Sequence, residues 1–228
     1  MVLRLCEHLE VPLRDQNALL LAAGFAPAFQ ERSLGELASA RLAMDRILRA
    51  HMPYPAYALD KHWNVVLSNG ALPQLYEGCS AELLRKPVNA VRLLLHPLGM
   101  GPRILNFVEW RAHTITVLRQ QIETRLEPVI QALLGEVMSY PSPPGAMALA
   151  TSEGPQRYAT PLQIATRFGT VSFLSTTTIF GTPTDVTLSE LALEMLFPAD
   201  EATAATVRSM LEESAEQPLR GVALQSAD

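Results

Sequence analysis

Cysteine is scarce in this sequence, and long apolar stretches are missing. The two cysteines, Cys6 and Cys79, lie far apart in the chain. They form neither a disulfide framework nor a zinc-ligand spacing, so we expect small thiols that are buried or half-buried. No apolar run approaches the roughly 18 residues of a membrane span, and no charged-then-apolar leader is visible. The sequence therefore predicts a cytoplasmic protein with no membrane partner.

Basic charge is also in short supply. Acidic residues outnumber basic ones by 23 to 18, and the formal net charge is −5. A general nucleic-acid binder needs a clustered basic surface, which this balance argues against. Any contact with DNA would have to come from elsewhere.

The motifs of the common enzyme classes are absent from the sequence. It contains no G-x-S-x-G, H-E-x-x-H, C-x-x-C or P-loop, and the pair Gly99 and Gly101 lacks the third glycine of a dinucleotide fingerprint. Glu109 and His113 are four residues apart on a predicted helix, but two ligands without a third are more typical of a solvated pair. We predict a protein that is not an enzyme and has no resident cofactor or metal.

What the sequence does contain is enough apolar material for one good core and a small appendage, since 48% of its 228 residues are hydrophobic. The most informative stretch is 56–71, AYALDKHWNVVLSNGA. Its apolar runs predict two short strands around a polar turn, with Trp63 at the start of the second strand and Asn69 capping the helix that follows. Such a sheet, covered by helices on one face, encloses a pocket more often than it carries catalysis.

The first 29 residues predict the appendage. Two short amphipathic helices are separated at Pro12, and Gly24 ends the second. An extended linker follows. Ser33 then predicts an N-cap, with Glu36 three residues later completing a capping box at the start of a new domain.

The remaining pattern predicts helices followed by strands. A long amphipathic helix starts at Ile104, with an apolar face that includes Leu105, and a second runs over about 128–138. A β-rich hairpin occupies 161–180, and residues 186–200 form a last strand or a helix. A final helix begins at Asp200, and residues 217–228 form a polar tail.

Four blocks of this sequence resemble a known family. They are LEVPLRDQNALLLAAGFAPAF, YALDKHWNVVLSNGA, VNAVRLLLHPLGMGPRILNFVEW and FGTVSFLSTTTIFGTPTDVTLSELALEMLFPAD. In this order they resemble transcription regulators that join an XRE-type helix-turn-helix to an MmyB-like ligand-binding domain. The positions similar to the family are Asn89, Arg92, His96, Asn106 and Trp110.

The resemblance implies an α+β, PAS-like antiparallel sheet flanked by helices, which holds a fatty acid or similar long-chain molecule and relays its occupancy to a DNA-binding domain. It implies three parts: residues 1–29 as the end of a helix-turn-helix domain, 30–216 as the ligand-binding domain, and 217–228 as the tail. Too few residues precede Pro27 for a full helix-turn-helix, and its recognition helix is missing. DNA would be contacted through that missing part, and a homodimer is compatible with the fold.

An acyl ligand is energetically reasonable, because each buried CH₂ contributes about 0.8 kcal/mol and twelve contribute roughly 10 kcal/mol. Association and ordering costs leave an affinity of about micromolar. A carboxylate cannot be buried without a donor. We expect the head group at Arg92, His96, Arg103 and Asn106, and aromatic contacts from Trp63, Trp110 and Phe173.

Each of these residues has a structural alternative. Arg92 would tie a helix to its neighbours, His96 would cap a helix end, and the aromatic residues would fill the core. If they do fill it, the domain is a solid-core dimerisation module without a ligand.

Overall fold

The computed structural model describes residues 1–124, 127–146, 160–180, 183 and 185–216. In these ranges the helices are α1 Val2–His8, α2 Leu13–Ala22, α3 Ala38–Ala50, α4 Ala90–Leu95, α5 Phe107–Thr124, α6 Pro128–Ser139, α7 Val186–Ser189 and α8 Glu201–Glu216. The strands are β1 Ala56–Leu59, β2 Val65–Ser68, β3 Leu162–Thr166, β4 Gly169–Ile179 and β5 Ala192–Pro198. The first and second 3-10 helices are Leu72–Tyr76 and Gly101–Arg103. The polar tail predicted at 217–228 lies outside the described residues.

The strands form one sheet in the order β2-β1-β5-β4-β3. Every neighbouring pair is antiparallel, and β5 lies between β1 and β4. The predicted α+β fold, an antiparallel sheet flanked by helices, is confirmed. The hairpin β3–β4 also forms as predicted, whereas residues 186–200 form both α7 and β5 rather than one of them.

Side-chain alternation along the strands separates two cores. The main core packs α4, α5, α6 and α8 against β3, β4 and β5, and Phe107, Leu118 and Phe173 are almost completely buried in it. The second core packs Met44 and Leu48 of α3 against the alanines of β1. Tyr57 stands between those alanines, so its side chain lies on the main-core face.

The turn between β1 and β2 is organised by one carboxylate. Asp60 Oδ1 accepts hydrogen bonds from the backbone N–H groups of His62 at 2.8 Å and Asn64 at 2.9 Å. Trp63 has a positive φ of 67° and lies in this turn rather than in β2. Its predicted place at the start of the strand is therefore wrong, because β2 begins at Val65 and the turn is two residues longer than the apolar pattern indicated.

Asn69 joins three elements instead of capping a helix. Its Oδ1 accepts from the N–H groups of Ala56 and Ala71, both at 3.2 Å, and its Nδ2 donates to the carbonyls of Leu48 and Tyr54 at 3.0 and 2.8 Å. The element that follows is the short first 3-10 helix, whose N-cap is Ala71. Asn69 is 4% exposed, so all these bonds are protected from water.

Two other helix starts differ from their predicted positions. The backbone N–H and Oγ of Ser33 both donate to Glu36, at 2.8 and 2.7 Å, but α3 begins later, at Ala38. The pair closes the turn before the helix, and its hydrogen bonds lower the pKa of Glu36. Likewise α5 begins at Phe107, not at Ile104, and Leu105 is exposed.

Candidate ligand-binding cavity

A small cavity lies in the main core between the sheet, the first 3-10 helix and α4. Its volume is about 30 Å³, roughly that of one water molecule. The residues that line it come from strands, helices and the loop after α4: Tyr57, Val65, Leu72, Leu75, Tyr76, Ala90, Leu93, Leu94, Met100, Leu162 and Leu196. The lining contains no charged side chain, so the cavity suits an apolar guest.

Two tyrosines give this lining its side-chain polar atoms. Burial raises the pKa of both Tyr57 and Tyr76 above the ordinary phenol value, so both hydroxyls are neutral at physiological pH. Within the described part of the chain, neither hydroxyl has a hydrogen-bond partner. Tyr57 lies directly across from Glu194 in the β1–β5 pairing, and the Glu194 charge also contributes to the raised pKa of Tyr57.

The first 3-10 helix forms a thin wall. A second cavity of about 10 Å³ lies against Gln74, Leu75 and residues of α8. Leu75 lines both cavities. An element with empty space on two sides and only short-range backbone bonds costs less to displace than a regular, close-packed helix.

Arg103 supports this wall from outside the cavity. Its Nη2 donates to the Leu75 carbonyl at 2.7 Å and lies 3.6 Å from Cys79 Sγ. Among the residues that the structure describes, no carboxylate pairs with it. Burial raises the pKa of the Cys79 thiol, and Arg103 opposes that rise. Of the cations predicted to bind a head group, Arg103 is the one that contacts a lining residue.

Arg92 is engaged elsewhere. Its Nε lies 2.8 and 2.9 Å from the two oxygens of Glu136 in α6, and its Nη2 lies 2.8 Å from Oε2. The hydroxyl of Tyr140 donates to the same carboxylate at 2.5 Å, and the His96 ring packs edge-on against Tyr140 at 4.8 Å. Arg92 and His96 therefore lie together in a partly exposed cluster that joins α4 to α6.

The other predicted site residues are spread through the core. Asn106 donates to the Pro161 carbonyl at 2.7 Å and accepts from the Gln163 N–H at 3.1 Å, which fixes the start of β3. Trp110 is buried, and its indole N–H has no partner among the residues that the structure describes.

Trp63 and Phe173 complete the predicted set. Trp63 Nε1 donates to Gln121 of α5 at 2.9 Å, and Gln121 in turn donates to the Lys61 carbonyl at 2.7 Å. Phe173 is fully buried in the main core. None of the seven predicted residues is in the lining of the described cavity.

One lining residue that was not predicted from the sequence, Tyr57, does lie in a recognisable pattern. Tyr57 is the large side chain in Ala-Tyr-Ala of β1, and period-two alternation places it opposite the face that α3 covers. Tyr76 lies in a 3-10 helix with no comparable pattern, and only the folded chain brings it to Tyr57.

A second charged region attaches α2 to the sheet. We call it the N-terminal junction, and it consists of Arg14, Glu31, Arg32, Lys61, His62, Glu127, Asp185 and Glu190. Arg14 Nε donates to Glu190 at 2.7 Å, and Arg14 also pairs with Glu31. These hydrogen bonds raise the pKa of Arg14 above its usual range. The Glu190 side chain is 7% exposed, so its ion-pair partners replace much of the hydration that its carboxylate loses.

The turn between β1 and β2 takes part in this junction. Lys61 Nζ lies 3.7 Å from Glu190 and 3.9 Å from Glu127, which precedes α6. His62 Nε2 lies 3.2 Å from the same Glu127. A separate pair, Arg32 and the fully buried Asp185, is 3.0 Å long and joins the linker to α7. The strands that flank this turn carry Tyr57 and Val65 of the cavity.

No helix among the described residues has the length and apolarity to cross a bilayer. No group of three or more His, Cys, Asp or Glu side chains in these ranges could hold a metal ion.

A family model, the MmyB-like transcription regulator ligand binding domain, matches residues 40–210. The chain belongs to this family. The MmyB-like family consists of ligand-binding domains of transcription regulators rather than of enzymes, so a small-molecule ligand and a role in transcription regulation follow for this chain. The matched range begins in α3 and includes every residue that lines the cavity. No curated protein matches the sequence.

Proposed function

We propose that this chain senses a fatty acid or similar long-chain molecule in the cytoplasm and thereby modulates DNA binding by a helix-turn-helix domain. The observation that carries the proposal is the uncharged cavity inside a domain of the MmyB-like family. In this proposal the domain has a PAS-like architecture, supported by the central pairing of β1 with β5 under a helical cover.

The ligand must enlarge the cavity, because ordinary ligand pockets hold about 300 Å³ or more, ten times the volume present. The wall that moves is the first 3-10 helix, since it has a cavity on each side. The ligand then shifts the population from this closed state to an open one, by its difference in affinity for the two. A carboxylate head group in the open state would lie at Arg103, beside Leu75.

The proposal assigns residues 1–29 to the end of a helix-turn-helix domain and 30–216 to the sensor, with DNA contacted through the recognition helix. Movement of β1 and β2 reaches α2 through Lys61, Glu190 and Arg14, which lie in series. This series of three side chains connects the sheet to α2 through fewer residues than the covalent chain does, since that chain runs through α3. A homodimer is compatible with this arrangement.

Solvent extraction and mass spectrometry test the proposal. The protein is purified, extracted with organic solvent, and any co-purified small molecule is identified and quantified. A long-chain molecule near one per chain supports the sensor. An empty protein whose melting temperature is unchanged by a panel of acyl compounds contradicts it.

A second function is favoured by one observation, the small volume of the cavity. A core that is already filled by its own side chains suits a PAS-like dimerisation module without a ligand. Sedimentation equilibrium with and without acyl compounds distinguishes the two, because the module predicts a dimer whose association does not respond to these compounds.

A further inference from the structure

The polar surface of the cavity is unusual for a site that would take an anion. Its side-chain polar atoms are the hydroxyls of Tyr57 and Tyr76, and no cationic side chain lines it. A carboxylate moved from water into such a place loses its hydration without gaining a counter-charge, which is costly.

A negative charge already lies beside one of these hydroxyls. Glu194 is the cross-strand neighbour of Tyr57, so the two side chains extend from the same face of the sheet. The Glu194 carboxylate accepts hydrogen bonds from Ser175 and Thr177, both at 2.5 Å, which hold it in place. An anionic guest at Tyr57 would therefore be repelled.

Arg103 contacts the wall but does not line the cavity. Its guanidinium donates to the Leu75 carbonyl, and Leu75 itself separates the two cavities. Arg103 thus holds the backbone of the first 3-10 helix while the cavity is closed, and it meets a ligand only at the rim.

The two phenol hydroxyls, by contrast, are available. Each can donate one hydrogen bond and accept others, and neither does so within the described chain. A guest that forms a hydrogen bond with such a hydroxyl gains affinity beyond its apolar area.

We propose that the cavity selects a long-chain molecule whose oxygen function is uncharged, such as an alcohol, ketone or amide, and that Tyr57 and Tyr76 bind that oxygen. This inference rests on the proposed sensor function and narrows its ligand class. The two tyrosines then determine specificity, and Arg103 holds the wall.

The test compares 1-decanol with decanoate at pH 8, by isothermal titration calorimetry on the whole chain. These probes share an alkyl chain of ten carbons and differ in head-group charge. We expect 1-decanol to bind at least tenfold more tightly than decanoate. Tyr57→Phe and Tyr76→Phe should each weaken 1-decanol binding about three- to tenfold, the usual effect of one hydrogen bond.

Matched variants separate this specificity from a structural role. Tyr140→Phe removes a phenol hydroxyl outside the cavity and should change 1-decanol affinity less than twofold. Tyr57→Phe and Tyr76→Phe should leave the melting temperature of the empty protein unchanged or higher, because the hydroxyls removed have no partner. A hydroxyl needed for folding would lower it.

Three results would overturn the inference. Decanoate binding as tightly as 1-decanol, with a loss in Arg103→Gln and none in the tyrosine variants, would assign the head group to Arg103 and leave the sensor function intact. Tight 1-decanol binding that is unchanged in Tyr57→Phe and Tyr76→Phe would show that the two hydroxyls do not determine specificity. Absence of binding by either probe would remove the sensor function as well.

Discussion

The cavity and the N-terminal junction differ in almost every physical respect. The cavity is uncharged, enclosed by the sheet, α4 and the first 3-10 helix, and depends on how closely apolar side chains pack. The junction includes a series of ion pairs from α2 through Glu190 to Lys61, in which Arg14 and Lys61 are partly exposed and Glu190 is nearly buried. The proposed long-chain ligand would act on the cavity through volume and apolar area, whereas the junction responds to charge and ionic strength. The turn between β1 and β2 supplies Lys61 to the junction, and the strands that flank it supply Tyr57 and Val65 to the cavity, so we expect the turn to couple ligand occupancy to the charge contacts.

The largest effect on stability should come from removing a large side chain from the main core, in which the cavity lies. Phe173→Ala removes a side chain that is fully buried between β4 and the helices, and we expect a loss of about 3–5 kcal/mol in the free energy of unfolding. Urea denaturation measures it. Phe197→Ala, at a 40% exposed position, should cost only about 1 kcal/mol. Equal losses would contradict the assignment of Phe173 to the core.

A smaller effect should come from breaking the junction while the core is kept. Glu190→Gln leaves Arg14 and Lys61 without their shared carboxylate, and we expect a loss of about 1–2 kcal/mol, since a nearly buried carboxylate with partly exposed partners lies between the buried and surface cases. Hydrogen exchange should quicken in α2 and stay unchanged in α5.

The control for this variant is Asp45→Asn, which breaks the exposed i,i+4 pair with Arg49 on α3. It should cost about 0.5 kcal/mol or less. If α2 exchanges no faster in Glu190→Gln than in the control, the junction does not hold the N-terminal helices.

The cavity can be filled without breaking the fold. Ala90→Val adds two carbons at the cavity lining, and we expect destabilisation of no more than about 1.5 kcal/mol with at least a tenfold loss of 1-decanol affinity. Calorimetry and thermal melting measure the two quantities. The exposed Ala112→Val on α5 is the control, and unchanged affinity in Ala90→Val would contradict the position of the site.

The smallest effect concerns the pair that lies in neither region, Arg92 with Glu136. Hydrogen bonding by Arg92 lowers the pKa of Glu136 below its ordinary value. Because the folded-state pKa of Glu136 is lowered, its ionised carboxylate stabilises the fold at pH values above its unfolded-state pKa, near 4.5. This stabilisation is lost as the pH falls through the folded-state pKa. The wild type should exceed Glu136→Gln in stability at pH 7 by about 1 kcal/mol or less, because both side chains are partly exposed.

Measuring the melting temperatures of the wild type and Glu136→Gln from pH 7 down to pH 3 checks this prediction. The difference should shrink below about pH 4.5. Neither Glu136→Gln nor Arg92→Gln should change 1-decanol affinity if Arg92 serves only to join α4 to α6. A loss of affinity with decanoate in Arg92→Gln would restore Arg92 as a head-group residue.

The sequence predicted the elements whose causes are local. The strands around Asp60, the hairpin β3–β4, the helix from Pro128 and the start of α8 after Asp200 each follow from nearby apolar periodicity, turns or caps. The Asp200 carboxylate, for example, accepts from the Thr203 N–H at 2.7 Å. Such contacts span only a few residues, so a pattern can indicate them.

The candidate site was not predictable in the same way, because its contacts are long-range. Arg14 and Glu190 are 176 positions apart, and no local pattern relates them. Tyr57 and Tyr76 meet only after β1 and the first 3-10 helix pack against the same core. Arg92 was a reasonable head-group candidate by residue type, but its partner Glu136 belongs to a different helix.

Hydrogen exchange of the whole chain, with and without a saturating mixture of 1-decanol and decanoate, tests the central claim most directly. We predict altered protection in two places, the first 3-10 helix at 72–76 and α2 at 13–22, with the change in α2 lost in Glu190→Gln. Altered protection at 72–76 alone would contradict transmission to the junction. No change at either place would contradict the sensor itself.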